Sequence, residues 1–529
     1  KRGVHLTRLF DRSTSASETM VNEGSGAIFG ISEKIGCGLA MANKWSDPPV
    51  QIIMCFAFGV PGIIAAMVMV AVYFSIFAVP LVWVALYAYY QLVFLATPPA
   101  ECEKYITFKD NELKKRWAKN KIPMHLLVEE FLKDNLEFKL DILETLENHR
   151  EEFIDWRPNW NLMQFLIDQL FPSKSSSYKS VEATTKEIAE HYDRGNGFFN
   201  AFLGEMMIYT SAFYHGTDQS LEQAQKNKLN MICEKMHLFK PGMRHLDIGC
   251  GWGTLVRWSA KEFGAKSIGV TLSKQGAKWC RDNNTKEKLA KANEKDELKQ
   301  GQCEILVCDY REVPSTLAKQ NPTKSEAELL FDVISAVEMA EHVGIANFQL
   351  FLTNCRDMLK DEGLFYMQVA GLRKGSNWQD TQWGLFMSRY IFPGADASTP
   401  LFWYVKQLEM AGFEVKSVET VGRHYSHTLK AWYMNWMKNK DDPAKKEMDD
   451  PAKRSLKEVY GGTWTGDAQL PHVPGNLYRL WDIFLAWSTV AAGIGSATCY
   501  QIIAHKNTYT FPRDQFCTAE LAKRSKKML

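Results

Sequence analysis

The run His245-Leu-Asp-Ile-Gly-Cys-Gly-Trp-Gly-Thr-Leu255 constrains this chain more than any other stretch. Ahead of it, Met243 to Ile248 has the composition of a short buried strand. Behind it, Leu255 to Glu262 has the apolar spacing of a helix. Between the two, Gly249, Gly251 and Gly253 permit a tight turn with positive φ and let a ligand approach bare backbone. Dinucleotide-binding turns of related shape aim helix N–H groups at a pyrophosphate. Here Asp247 stands at the strand's end, where a carboxylate repels phosphate and accepts from an ammonium group. A zwitterionic amino-acid ligand, as in S-adenosylmethionine, is therefore expected; a glycine turn without a ligand is the plainer alternative.

The same alternation continues along the chain. Short apolar strands are expected at Gly242–Ile248, Ser267–Thr271, Glu304–Cys308, Phe331–Ala336, Leu364–Ala370 and Glu414–Thr420, with helical patterns between them. This implies an α/β fold, a doubly wound and mostly parallel sheet covered by helices. Ligands in such sheets sit beyond the strands' carboxyl ends, where the glycine loop falls. Residues 181–520 are expected to form this domain, entered through a Ser-rich linker at Pro172–Ser177 and interrupted by charged segments at Lys286–Gln300 and 438–454, the latter a flexible insertion. Ile483 to Ala504 is uncharged; a buried helix and strand closing the domain is preferred over a further membrane span. The 63 basic and 61 acidic residues balance to +2, which gives no reason to expect a nucleic-acid partner. Eleven cysteines are scattered without a Cys-x-x-Cys pair or zinc spacing, so no metal is expected and a reducing, cytosol-facing domain is.

Pro48 to Ala100 contains no Asp, Glu, Lys, Arg or His. As one helix it would run about 80 Å, against a hydrocarbon core of about 30 Å. Two spans are expected, near 50–69 and 73–95, forming a transmembrane hairpin over 48–100. Its break falls near Gly59-Val-Pro-Gly62 or Pro80; a buried helix pair is the alternative. Trp83, Tyr87, Tyr89 and Tyr90 suit an interfacial belt. Lysines on both flanks place both ends in the cytosol, and the ending Lys526-Lys527-Met528-Leu529 resembles a di-lysine retrieval signal, so a multi-pass endoplasmic-reticulum membrane protein is expected. Residues 1–47 are polar, and 101–180 carry one or two amphipathic helices between Ile122 and His149, either packing helices or a lipid-access platform. Residues 521–529 form a basic tail.

His191-Tyr-Asp-Arg-Gly-Asn-Gly-Phe-Phe199, Met207-Ile-Tyr-Thr-Ser-Ala-Phe213, Leu221-Glu-Gln-Ala-Gln225, the glycine loop, Gly269-Val-Thr-Leu-Ser273, Asp309-Tyr-Arg311, Glu341-His-Val-Gly344, Tyr390-Ile-Phe-Pro-Gly394 and Thr428-Leu-Lys-Ala-Trp-Tyr433 follow one another in order. Together they resemble the cyclopropane fatty acid synthase and mycolic acid cyclopropane synthase family of S-adenosylmethionine-dependent methyltransferases, over about His191 to Ala431. With the apolar hairpin and charged insertion, the chain looks most like that family's fungal sphingolipid C9-methyltransferase branch. The resemblance implies a class I methyltransferase, Rossmann-like fold. It also implies a donor site of Tyr209, Thr210, Asp247, Gly249, Gly251, Gly253, Thr271, Ser273, Gln275, Asp309, Tyr310 and Arg311. The family often has Gln one place after Gln275, where this chain has Gly276.

An alkene is a poor nucleophile, and its attack on a sulfonium methyl leaves a carbocation that must be stabilised, kept dry and deprotonated. By resemblance Glu341 is the active-site acid and Tyr425 the active-site tyrosine; His342 is expected to position groups, with a base as the alternative, and Glu338, equally close in sequence, is a second-choice acid. In cyclopropane synthases a bicarbonate, held partly by a Cys and a His, takes a proton from the transferred methyl and the ring closes. This chain has Ser211 and Gln368 at those positions, which leaves that ion short of two ligands. The expected product is then a methyl-branched alkene, with ceramide or glucosylceramide as the lipid. A phospholipid cyclopropane synthase and a non-catalytic membrane scaffold are the competing readings.

Overall fold

A polypeptide without a turn former has no reason to leave a helix it has entered. Val60–Val93 is a single α-helix (α1) of 34 residues, about 51 Å long at 1.5 Å per residue. The expected turn between 69 and 73 falls on Val70-Ala-Val72, which offers neither Gly nor a polar side chain, and the helix runs through it. Pro80 lies inside the helix without ending it, at the loss of a backbone hydrogen bond. The two-helix hairpin is thus corrected to one continuous helix over these residues. Within it, Met67–Tyr90 is long and apolar enough to cross a membrane, and none of that stretch is buried.

The computed structural model describes residues 60–93, 97–157, 194–283, 302–373, 377–392, 399–461 and 476–508. Residues 1–47, 50–59, 94–95, the Pro172–Ser177 linker, Lys286–Gln300 and the 521–529 tail lie outside them, as do His191 to Asp193 and Pro393-Gly394. The chain divides into two units, residues 1–95 with 159–177, and residues 96–158 with 178–529.

The second unit is built on a seven-stranded sheet. Its strands are β1 (Arg244–Ile248), β2 (Lys266–Thr271), β3 (Gln302–Val307), β4 (Phe331–Val337), β5 (Leu359–Leu372), β6 (Phe413–Thr420) and β7 (Ala497–Lys506), in the order β6-β7-β5-β4-β1-β2-β3. All six expected strands are present. The block from β5 to β3 is parallel, while β7 is antiparallel to both β5 and β6. The order reverses on either side of β1 and β4, the switch point at which such sheets open a crevice. The expected burial of Ile483–Ala504 holds: it is the end of a helix followed by β7, whose residues are buried from Ala497 to His505.

Helices α2 (Met124–Leu132), α3 (Ile142–Phe153), α4 (Asn196–Leu203), α5 (Leu221–Lys235), α6 (Thr254–Phe263), α7 (Lys274–Asn283), α8 (Phe348–Met358), α9 (Trp378–Phe386), α10 (Gly422–Asn439) and α11 (Asn476–Gly493) surround the sheet. The apolar stripe noted between Ile122 and His149 splits into α2 and α3, whose Leu127, Phe131, Leu143 and Leu146 are buried against this unit. Arg479 of α11 ties them in, donating to the carbonyls of Phe131 (2.6 Å) and Leu136 (2.9 Å) and to Glu137 (2.6 Å). The charged 438–454 segment is not loose, contrary to expectation. Glu447 is buried and accepts from the backbone N–H of Gly197 (2.9 Å) and Phe198 (3.0 Å), while Asp449 accepts from Asn196 N–H (2.8 Å). Carboxylates at a helix N-terminus satisfy its orphan donors and its dipole, and this holds the insertion on α4.

Candidate active site

The carboxyl ends of β1, β2, β3 and β4 enclose a cavity lined by the glycine loop, Asp247, Thr210, Lys228, Thr271, Ser273, Gly276 and the Asp309–Arg311 turn. Gly249, Gly251 and Gly253 all have positive φ (76°, 53° and 69°). A Cβ on Gly251 would meet nothing within 4 Å, so this backbone faces open space; one on Gly249 would stand 2.4 Å from Met339 Cγ. Gly253 lies outside the lining; its positive φ starts α6, and Cys280 packs where a side chain would be. Gln275 is also outside it, and Gly276 takes the place in the cavity wall.

Polar partners fix the remaining lining groups. Ser273 N–H donates to Thr271 Oγ1 (3.2 Å) and Gly276 N–H to Ser273 Oγ (2.9 Å), so both hydroxyls shape the turn into α7. Asp309 is gripped by the Arg311 fork at 2.7 and 2.9 Å and by Arg311 N–H at 2.9 Å, so its carboxylate holds the turn in place. Tyr310 stands edge-on to Phe351 in the same wall.

Asp247 is fully enclosed, and burial pushes its carboxyl up to about 7. Ser335 Oγ donates to it at 2.5 Å. His245 Nε2 lies 2.9 Å from Ser335 Oγ and its Nδ1 lies 3.1 Å from Ser259 Oγ, which itself donates to the Val256 carbonyl at 3.0 Å. Ser259 is in turn 2.7 Å from Ser267 Oγ. This buried file orients the carboxylate from behind; burial holds His245 neutral, down to about 3. Sequence reasoning missed it, and missed Lys228. That lysine lies on the buried face of α5, one turn after Gln225; its Nζ donates to Thr210 Oγ1 (2.5 Å), and burial lowers it to about 8. A charged residue in step with Leu221, Leu229 and Ile232 on an apolar helix face was the available signal.

A second, more apolar cavity adjoins the first. Tyr209, Glu338 and His342 line both. The second adds Glu341, Tyr425, Phe392, Trp383, Trp432 and Phe484. Tyr209 anchors the aromatic wall, with ring centroids 5.4 Å from Trp432 and 6.3 Å from Phe392; His342 stands edge-on to Phe392 at 5.5 Å. Glu341 Oε1 accepts from Ala370 N–H at 2.5 Å. Burial raises the Tyr425 phenol well above its ordinary range, so it stays protonated.

Ser211 and Gln368 line neither cavity. Both bond to Glu338, whose Oε1 accepts from Ser211 N–H (2.9 Å) and Gln368 Nε2 (2.6 Å). Gln368 cannot turn over without loss, because its Oε1 already accepts from Tyr366 O–H (3.1 Å) and Gln501 Nε2 (3.0 Å). Glu338 follows β4 with φ 51°, a conformation that is strained for a side chain other than glycine. The structure thus gives the second-choice acid a more central place than the sequence did.

Residues 179–460 match the family model described as mycolic acid cyclopropane synthetase. The chain is 40% identical over 413 residues to sphingolipid C9-methyltransferase B of Emericella nidulans, spanning 78% of this chain and 71% of that one. It is 37% identical over 456 residues to the sphingolipid C9-methyltransferase of Komagataella phaffii, spanning 85% and 84%. Among solved structures it is similar to a cyclopropane synthase of Mycobacterium tuberculosis, with a TM-score of 0.48 at 20% identity over 61% of this chain and 98% of that one.

Proposed function

The chain belongs to the mycolic acid cyclopropane synthetase family, and from that premise we propose that it methylates C9 of the C8=C9 double bond in the sphingoid base of ceramide or glucosylceramide, with S-adenosylmethionine as donor. The observation that carries this reading is the meeting of two cavities, a polar cradle and an aromatic pocket lined by the buried Glu341 and the half-buried Glu338, at Tyr209, Glu338 and His342. The relatives named above supply the substrate class.

The cradle fits the donor. Asp247 offers a buried, oriented carboxylate to an ammonium group. Thr210, whose Oγ1 accepts from Lys228, keeps its own proton to donate to a carboxylate. Gly251 presents bare backbone to the cavity. When bound, S-adenosylmethionine supplies an electrophilic methyl on sulfur.

On the acceptor side, bonding of the methyl to C9 leaves positive charge at C8 of the lipid. Glu341 and the rings of Tyr209, Tyr425, Phe392 and Trp432 stabilise that charge. Met387, Leu429 and Phe484 keep water from trapping it. Membrane anchoring through α1 would suit a substrate that resides in a bilayer.

The test is product analysis from the full chain in mixed micelles with a C8-unsaturated ceramide. A 9-methyl-branched base supports the reading; a cyclopropane or an unmodified lipid overturns it. Glu341→Gln should lower turnover by about 10²–10³-fold while leaving donor affinity nearly unchanged.

A further inference from the structure

The reading above leaves a proton on C9 without an acceptor. We propose that Glu338, rather than Glu341, is the catalytic base that removes it; this rests on the proposed C9 methylation. Two carboxylates are found among the described residues lining the aromatic pocket. Glu341 is directed by Ala370 N–H, and its place among the aromatic rings suits charge stabilisation. Glu338 alone of the two also lines the donor cavity, so it stands where the methyl must cross.

Its surroundings are built for a carboxylate. The Ser211 backbone N–H and the oriented Gln368 amide hold one oxygen, and the thiol of Cys499 lies 3.7 Å from the same atom. The Gln368 amide is itself oriented by Gln501, whose Oε1 accepts from Lys235 (2.5 Å). The register that brings this about is structural: Gln368 pairs with Val337 of β4 on one side and Gln501 of β7 on the other. The fold maintains φ 51° at Glu338 to aim it, the kind of strain that clusters at working sites. Burial raises the carboxyl above its usual range, which makes it a better base, while Ser211, Gln368 and buried Lys228 favour its ionised form.

The step balances within these groups. The alkene's π pair forms the bond from C9 to the methyl carbon, and the pair of the methyl–sulfur bond leaves with sulfur. The C9–H pair then closes the C8=C9 double bond, and the proton passes to a Glu338 carboxylate oxygen, giving a neutral acid. After product release the proton returns to water.

Three measurements on the full chain in micelles test this. Glu338→Gln should lower turnover by about 10²–10⁴-fold, the usual worth of a general base, with donor affinity by calorimetry changed by less than about fivefold. Glu338→Gly suits the backbone at this φ and opens the carboxylate's place; its turnover should recover with added formate or acetate, more with the more basic anion. Wild-type turnover should be indifferent to removal of dissolved bicarbonate. Equal rates for wild type and Glu338→Gln, no anion rescue of Glu338→Gly, rescue independent of anion basicity, or a wild type that stalls without bicarbonate would each overturn the assignment. A wild type that makes no 9-methyl lipid overturns the reading of function and this inference together. A wild type that methylates beside an equally fast Glu338→Gln overturns this inference alone.

Discussion

Asp247→Asn should make the ligand-free protein more stable at pH 8 while weakening its hold on the donor. Burial raises the Asp247 carboxyl from 3.8 to about 7, against the pull of Ser335 and Lys228. The folded protein therefore binds this proton more tightly than the unfolded chain. The associated stability is complete below about pH 4 and is lost as pH rises through about 7. Three units at 1.36 kcal/mol each amount to roughly 4 kcal/mol at pH 8. Asn carries no charge to desolvate and keeps an oxygen for Ser335, but its amide N–H group needs a partner, at about 1–3 kcal/mol. The net expectation is a gain of roughly 1–3 kcal/mol. His245 acts in the opposite sense: held down to about 3, it removes stability as pH falls from 6.5 toward 3. The two slopes offset each other in the wild type, so the difference between variant and wild type isolates Asp247. Loss of a charge-assisted bond to the ammonium group should weaken donor binding by about 1.5–3 kcal/mol, roughly 10- to 150-fold. Urea unfolding at pH 5 and pH 8, with calorimetric titration of S-adenosylmethionine, measures both. A stability difference that does not grow from pH 5 to pH 8, or undiminished affinity, would refute the reasoning.

Two further outcomes follow from local geometry. Gly249→Ala combines a positive φ of 76° with a contact of 2.4 Å to Met339 Cγ, and should cost about 2–4 kcal/mol in urea unfolding; adding Met339→Ala should recover part of it. Glu447→Ala should cost about 2–4 kcal/mol by removing two bonds to the α4 N-terminus, with the 438–454 segment becoming cleavable by protease; equal protease resistance would show that other contacts hold it.

The strands and the glycine loop were legible because local sequence determines them: apolar runs of strand length, and glycines where φ is positive. Asp247, Thr271, Ser273 and the Asp309–Arg311 turn line the cavity at the strand ends where the sequence put them, while Gly253 and Gln275 stand outside its lining. Three features were not legible for three different reasons. The α1 hairpin expectation took bilayer thickness as decisive, but without a turn former the backbone stays helical through Val70–Val72. The docking of Glu447 depends on helix donors some 250 positions away in sequence. The hold of Gln368 on Glu338 depends on a β5–β7 register that aims the Gln368 amide, and no local pattern encodes that.

The insertion of β7 between β5 and β6 has a consequence for synthesis of the protein. β5 is 14 residues long and largely buried in the finished sheet, and its partner β7 is separated from it by more than a hundred residues. Until residues 497–506 leave the ribosome, the nascent chain carries β4 and β5 with an open, apolar edge, which is a template for pairing with the wrong strand. The donor half of the sheet can form early from contacts close in sequence, while the acceptor half waits for β7. Chains stalled before residue 497 should therefore bind S-adenosylmethionine yet depend on chaperones to stay soluble.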